Sequence, residues 1–306
     1  MTARPVQPSS VCINRFQTTI EETSAHGPTR PPPMTALSGF EEAPPAPPAR
    51  ARIMGILNVT PDSFSDGGQH DRLSTAIDHA LAMEAAGADI IDIGGESSRP
   101  GHSKVDVETE LARVIPVIRE LRNRLQRPMS IDTTKAAVAE RALSAGVAIL
   151  NDIWGLQREP EIASVAAAFD AETVVMHNRT EIDPTIDIFD DLERFFEKSL
   201  AIARKAGLSD RRVVLDPGIG FGKSLQQNLA LIGDIRRIRA MGYPVLVGLS
   251  RKSMIGKLLG AEVDDRLVGT LVLDTLVLAG GADIIRVHDV AEHVAARTLV
   301  EAVNRA

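Results

Sequence analysis

Eight times along this chain a short β-branched, apolar run ends on a polar residue or a glycine and gives way to a longer stretch with helical spacing. The runs are 52-RIMGILNV-59, 89-DIIDIGG-95, 128-PMSIDT-133, 148-AILNDI-153, 172-ETVVMH-177, 212-RVVLDPG-218, 244-PVLVGL-249 and 283-DIIRVH-288. Apolar runs of strand length suit parallel strands covered on both faces. In the clearest intervening stretch, Leu111, Val114, Ile115, Ile118, Leu121 and Leu125 recur at three- and four-residue intervals, the mark of one buried helix face. The segment 191-DLERFFEKSLAIARKAGL-208 is another. Gly87, Gly146, Gly207 and Gly242 stand just before strands, where a left-handed glycine ends a helix at little cost. Eight strand-then-helix units predict an α/β fold, a closed (β/α)8 TIM barrel forming one catalytic domain over residues 51–306. An open, doubly wound sheet is the alternative. Beyond residue 50 the chain has about the ~250 residues of a typical barrel. Aromatics make up only 3%, so Val, Ile, Leu and Ala must fill the core.

Residues 1–50 read differently. They hold ten of the 18 prolines, including Pro31–Pro33 and Pro44, Pro45, Pro47 and Pro48. Proline withholds a backbone donor and fixes φ, so this Pro-rich leader is expected to be disordered. It lacks the apolar stretch of a secretory signal, and Glu21, Glu22, Glu41 and Glu42 offset its arginines, against a transit peptide. The formal net charge of -7 with no basic run argues against a nucleic-acid surface. No apolar run approaches the ~18 residues of a membrane span. Cys12 is the single cysteine, so neither a disulfide framework nor a cysteine zinc site forms within one chain. A reducing, cytoplasmic setting is expected.

The strand interiors are apolar, but their C-terminal ends are not. In order they carry Asn58, Gly94-Gly95-Glu96, Asp132, Asn151-Asp152, His177, Asp216, Ser250-Arg251-Lys252, and Arg286 with His288. A barrel brings these ends to one face, where its active site sits. Asp152 and Ser250 read more simply as helix caps, and His177 as a wall residue, since no partner ligands stand beside it. The remaining set predicts a convergent polar pocket. Asp132, Asp216 and Asn151 offer the acceptors and the amide that a flat heterocycle with amino and NH groups requires. Lys252 offers a donor. Arg286 and His288 leave the eighth strand, where barrels often bind phosphate, and arginine makes forked bonds to phosphate oxygens. Asn58 offers an oxygen to Mg2+, which takes few protein ligands and completes its shell with substrate phosphates. Two apparent phosphate motifs fail. The segment 217-PGIGFGKS-224 has Pro217 where a phosphate loop needs glycine, and Lys223 stands at the third glycine of a dinucleotide fingerprint.

These motifs resemble those of the dihydropteroate synthases. 55-GILNVTPDSFSDGG-68 is similar to the family's first signature almost residue for residue. 94-GGESSRPG-101 resembles the second, with Ser98 where threonine is commoner, and 130-SIDT-133, 151-ND-152, 215-LDPGIGFGK-223, 248-GLSRKS-253 and 286-RVHD-289 follow in the expected order. The resemblance covers the chain from about residue 52 to its end. It implies that Asn58 binds Mg2+ and that Asp132, Asn151, Asp216 and Lys252 bind a pterin between Met176 and Phe221. It implies that Ser98, Arg286 and His288 contact a diphosphate. Asp62, Phe64, Ser65, Asp66, Arg99 and Pro100, on the loops 60-TPDSFSDGG-68 and 97-SSRPGHS-103, would shape a p-aminobenzoate pocket. Lys252, Arg286, His288, Asp66 and Arg99 are the expected catalytic set. A homodimer with small-molecule substrates and no nucleic-acid or membrane partner is also implied. Two segments depart from the common pattern: 178-NRTEIDPTIDIFDD-191, and Trp154-Gly155-Leu156 after the fourth strand. A pterin-dependent methyltransferase and a non-catalytic pterin-binding paralogue are the rival readings.

Overall fold

The computed structural model describes residues 50–60, 69–97 and 105–306. The leader, but for Arg50, and the loop residues Asp62, Phe64, Ser65, Asp66, Ser98, Arg99 and Pro100 lie outside the described residues. Eight strands form one sheet: β1 (Arg52–Asn58), β2 (Ile90–Gly94), β3 (Met129–Asp132), β4 (Ile149–Asp152), β5 (Glu172–Met176), β6 (Val213–Asp216), β7 (Leu246–Val247) and β8 (Ile284–Val287). All neighbours pair in parallel, in the order β6-β5-β4-β3-β2-β1-β8-β7. A parallel bridge between Leu215 and Val245 closes the ring between β6 and β7, with Leu215 N donating to Pro244 O at 2.9 Å. That closure makes the sheet a barrel. β7 is shorter than the predicted 244–249 run, and Pro244, which has no N–H to give a ladder, stands before its start.

Around the barrel run α1 (Gln69–Ala85), α2 (Val107–Leu121), α3 (Ala136–Ser144), α4 (Glu161–Ala168), α5 (Ile188–Lys205), α6 (Leu225–Gly233), α7 (Ile235–Arg239), α8 (Ser253–Leu259), α9 (Leu267–Ala279) and α10 (Val290–Arg305). Their starts follow local chemistry. Asp106 caps α2 through Thr109 N at 2.7 Å, and Ser224 and Gln227 form a reciprocal capping box at α6. Gly87, Gly146, Gly207 and Gly242 all take positive φ, as a helix stop before a strand requires. No helix among the described residues is long and apolar enough to cross a membrane.

Side chains alternate across each strand, and this period of two sorts the core into layers. Ile53, Leu57, Ile91, Ile93, Ile131, Leu150, Val175, Leu215 and Val287 belong to the main cluster between strands and helices. Met54, Ile90, Ile149, Val174, Val214, Leu246 and Ile284 form a separate apolar plug inside the ring. Two residues before the plug, Arg52 and Glu172 pair across the barrel floor, Nη1 to Oε2 at 3.1 Å. Two residues after it, on the same face, come Asp92, Asn151, Met176, Asp216 and Arg286. The plug thus forms the floor beneath those polar side chains.

Candidate active site

The registers put the polar layer together. Asn58 pairs with Gly94, Gly94 with Asp132, and Asp132 with Asn151, so four neighbouring strands end level with one another. Arg286 crosses to them from β8. Its Nε donates to Asp92 Oδ2 at 2.6 Å and its Nη2 to Asp132 Oδ2 at 2.8 Å. Asn151 Nδ2 also donates to Asp92 Oδ2, at 3.2 Å. Burial works against the Arg286 charge, but Asp92 and Asp132 outweigh it and raise its pKa. Burial pushes the Asp132 carboxyl up to about 7, against the pull of Arg286.

Across the barrel, Asp216 Oδ1 accepts from Gly218 N at 2.7 Å, which folds the loop after β6 back over the strand end. Lys252 reaches this loop: its Nζ donates to Ile219 O and lies 4.6 Å from the centre of the Phe221 ring. Burial pulls the Lys252 ammonium down to about 8, with Asp216 opposing. Burial likewise raises the Asp216 carboxyl, while Lys252 lowers it. Met176 is buried on the inward face of β5, in register with Asp216. Lys252, Asp216 and Phe221 therefore cluster on one side, and Arg286, Asp132, Asn151 and Asp92 on the other.

At the rim, the Cβ that Gly94 lacks would lie 3.8 Å from Asn58 Oδ1 and 3.9 Å from Asp132 Oδ2. Both oxygens border the position of that absent Cβ, where Asp132 Oδ2 also accepts from Arg286 Nη2. Such a position suits a hard cation that takes one or two protein oxygens and fills its shell elsewhere. No group of three or more His, Cys, Asp or Glu side chains gathers as a chelate among the described residues. His288 follows β8 directly, with its Nδ1 2.8 Å from Ser250 Oγ.

Two polar strand-end residues turn away from this face. Asp152 accepts from Trp154 N at 2.9 Å and Leu156 N at 2.7 Å, capping the turn after β4. His177 points outward, 3.1 Å from Asp191 and 4.8 Å ring to ring from Phe195 of α5. It is a residue of the helix–strand core, not of the pocket wall, and burial drives its imidazole pKa down to about 2. Lys223 is also tied up, donating to Gly218 O at 2.8 Å and Phe221 O at 3.0 Å. It pins the loop that carries Phe221. Ser250 differs from its reading as a helix cap. It makes no cap at α8 and instead accepts from His288 N at 3.2 Å while holding that ring.

A profile of the pterin-binding enzymes matches residues 54–288. Dihydropteroate synthase of Bacillus subtilis is 48% identical over 238 residues, 78% of this chain and 83% of that protein. The chain belongs to the dihydropteroate synthase family.

Solved structures of the family agree in fold and in sequence. Dihydropteroate synthase of Clostridium difficile, crystallised in the presence of pteroic acid, superposes with a TM-score of 0.82 at 49% identity, over 84% of this chain and 98% of that one. The Xanthomonas albilineans enzyme with 4-aminobenzoic acid gives a TM-score of 0.81 at 43% identity, over 84% and 94%. Beside the residues expected for a dihydropteroate synthase, the fold adds Asp92 and Ser250 to the site. Asp92 carried a signal in the sequence: it is a carboxylate inside the apolar run Ile90-Ile91-Asp92-Ile93, where an unpaired charge would be costly.

Proposed function

We propose that this chain is an active dihydropteroate synthase. It condenses (7,8-dihydropterin-6-yl)methyl diphosphate with 4-aminobenzoate to give 7,8-dihydropteroate and diphosphate. The observation that carries this reading is one inward-facing layer of Asp132, Asn151, Asp216 and Arg286, reached by Lys252, above an apolar floor. Two carboxylates and an amide accept from and donate to the edge of a pterin ring, while Met176 and Phe221 cover its faces. Arg286 and His288 would take the departing diphosphate, through charge-assisted bonds to its oxygens. Lys252 would donate to the ring, and Ser98 would add a contact to the diphosphate. Asn58 would hold Mg2+, which when bound neutralises diphosphate charge. The aspartates hold the ring where it best stabilises positive charge on the carbon losing diphosphate. Asp62, Phe64, Ser65, Asp66, Arg99 and Pro100 would present the amine of 4-aminobenzoate and exclude water. No side-chain nucleophile is required.

The chain is proposed to work in the cytoplasm, on small molecules and without nucleic acid, as a homodimer. Exposed apolar rows on α9 and α10 support the last point: Val268, Val272 and Leu276 on one, Leu299 and Val303 on the other. The deciding experiment incubates the protein with Mg2+, the pterin diphosphate and radiolabelled 4-aminobenzoate. Labelled dihydropteroate that requires both substrates and Mg2+ is the expected result. Pterin binding without product would favour a non-catalytic paralogue or a methyltransferase, and absence of both would remove the pterin reading.

A further inference from the structure

Where α9 packs against α10, Asp274 meets His293, and neither residue has any exposed surface. His293 Nε2 lies 2.9 Å from Asp274 Oδ2, and its Nδ1 lies 2.5 Å from the backbone carbonyl of Asp289. A carbonyl oxygen only accepts, so Nδ1 carries a hydrogen. The Nε2–Oδ2 contact then needs a hydrogen too. It sits on the ring, as imidazolium against carboxylate, or on the carboxyl, as O–H donated to Nε2. Either way the pair holds one proton more than a neutral imidazole beside an ionised carboxylate. Asp274 Oδ1 is buried without a hydrogen-bond partner among the described residues, so a charge left on Asp274 alone would be poorly compensated.

From His293 the contacts lead to the site. Asp289, whose carbonyl His293 holds, offers its carboxylate to Arg251: Nη2 to Oδ1 at 2.6 Å and Nε to Oδ2 at 3.2 Å. Arg251 has a φ of 57°, a left-handed conformation that a residue with a side chain adopts only when its surroundings hold it there. Its N–H donates to Thr270 Oγ1 at 3.1 Å, and its carbonyl accepts from Arg266 Nη1 at 3.1 Å. On one side of Arg251 is Ser250, which holds His288. On the other is Lys252, which reaches the loop after β6. The Arg251 backbone therefore sets the positions of both.

We propose that Asp274 and His293 share a buried proton and act as positioning residues for the reaction, fixing Asp289 and through it the Arg251 loop that carries Lys252 and steadies His288. The proposal rests on the synthase reading for what the loop positions, but not for the shared proton. Among the described residues the charged groups around the pair are few, and the Asp289 carboxylate supports a charge on His293. Asp274 feels Lys252, Asp289 faces Arg251, and Arg251 also meets Asp264 at 3.7 Å.

Two measurements test it. The first follows the His293 ring nitrogens by NMR in the ligand-free full chain. The shared proton is expected to persist well above the ordinary imidazole pKa of about 6.5, and a ring that titrates there would overturn the proposal. The second compares kinetics of Asp274→Leu and His293→Gln with the unaltered chain. Leucine can neither accept from nor donate to the ring, so His293 loses its hold on α9, and glutamine lacks the second ring nitrogen that meets the Asp289 carbonyl. The expected loss is about tenfold in kcat/KM for the pterin diphosphate, the scale on which removing a group that orients a site residue acts. KM for 4-aminobenzoate should hold, and Asp274→Glu should recover part of the loss. Folded variants with unchanged kinetics, or equal losses for both substrates tracking a lower melting temperature, would overturn the positioning role. If the unaltered chain makes no dihydropteroate, the synthase reading and the positioning role fall together, while the NMR result still decides the shared proton.

Discussion

Asp132 carries two demands at once. It is the counter-charge that Arg286 meets at 2.8 Å, and it is proposed to accept hydrogen bonds from the pterin. Asp132→Asn keeps the shape but loses the charge. Arg286 still has Asp92 at 2.6 Å, so the fold should survive. Pterin affinity should drop by about 1.5–3 kcal/mol, the usual worth of hydrogen bonds to a charged group. Calorimetry that found unchanged affinity would remove Asp132 from the pterin contacts. The pH dependence has a definite sign. Burial lifts the Asp132 carboxyl to about 7, and only its ionised form accepts from two donors. Pterin binding must therefore displace a proton below that pKa, and affinity should rise as pH increases from 5 to 7, below the range in which Lys252 loses its proton. The rise should vanish in Asp132→Asn, and titrations flat in both proteins would contradict the assignment.

At the scale of elements, the loop after β6 does the most with the least. Gly218 has a φ of 62°, and a Cβ there would stand 1.9 Å from the carbonyl oxygen of His177. No other residue fits, and Gly218 N also holds Asp216. Gly218→Ala is expected to lose at least about 1–3 kcal/mol, the cost of a residue forced into a rare backbone region, and to displace Phe221 and the carbonyl that Lys252 reaches. Urea unfolding with an unchanged midpoint would show that the loop relaxes. The strands and their inward residues were legible in the sequence because the apolar plug and the polar ends share one parity, as in Ile149 and Asn151 or Ile284 and Arg286. Parity also separates Asn151 from Asp152, which the sequence already set apart as a cap, and Met176 from His177, which it read as a wall residue. Ser250 was not legible. Its role depends on β7 and β8 lying side by side, and a serine before a helix looks like a cap until its partner, His288, is in view. The pairing of Asp274 with His293 is hidden for the same reason: 19 residues and a strand separate them in the chain.

For the whole molecule, α9 is the helix that a lone barrel explains least. Its sequence, LVGTLVLDTLVLA, is apolar on nearly every side, and such a helix is ordinarily covered. Yet Val268, Val272 and Leu276 lie 71%, 55% and 55% exposed at four-residue intervals, and on α10 Leu299 and Val303 are 69% and 75% exposed. A second copy of the chain is the occupant proposed for this surface, since a twofold interface needs only one self-complementary patch. Sedimentation of the full chain should give a dimer, and Val272→Lys combined with Leu299→Glu should give a folded monomer. A monomer before any substitution would refute the arrangement. The same helices hold Thr270 and His293, which grip Arg251 and the Asp289 carbonyl, so their packing bears directly on the site. Uncovering α9 and α10 should loosen that grip. The monomeric variant is therefore expected to turn over more slowly and, because the Arg251 loop also carries Lys252, to lose part of its pterin affinity, keeping the share set by Asp132, Asn151 and Asp216 across the barrel. A monomer with full turnover would show that the barrel alone holds the Arg251 loop in place.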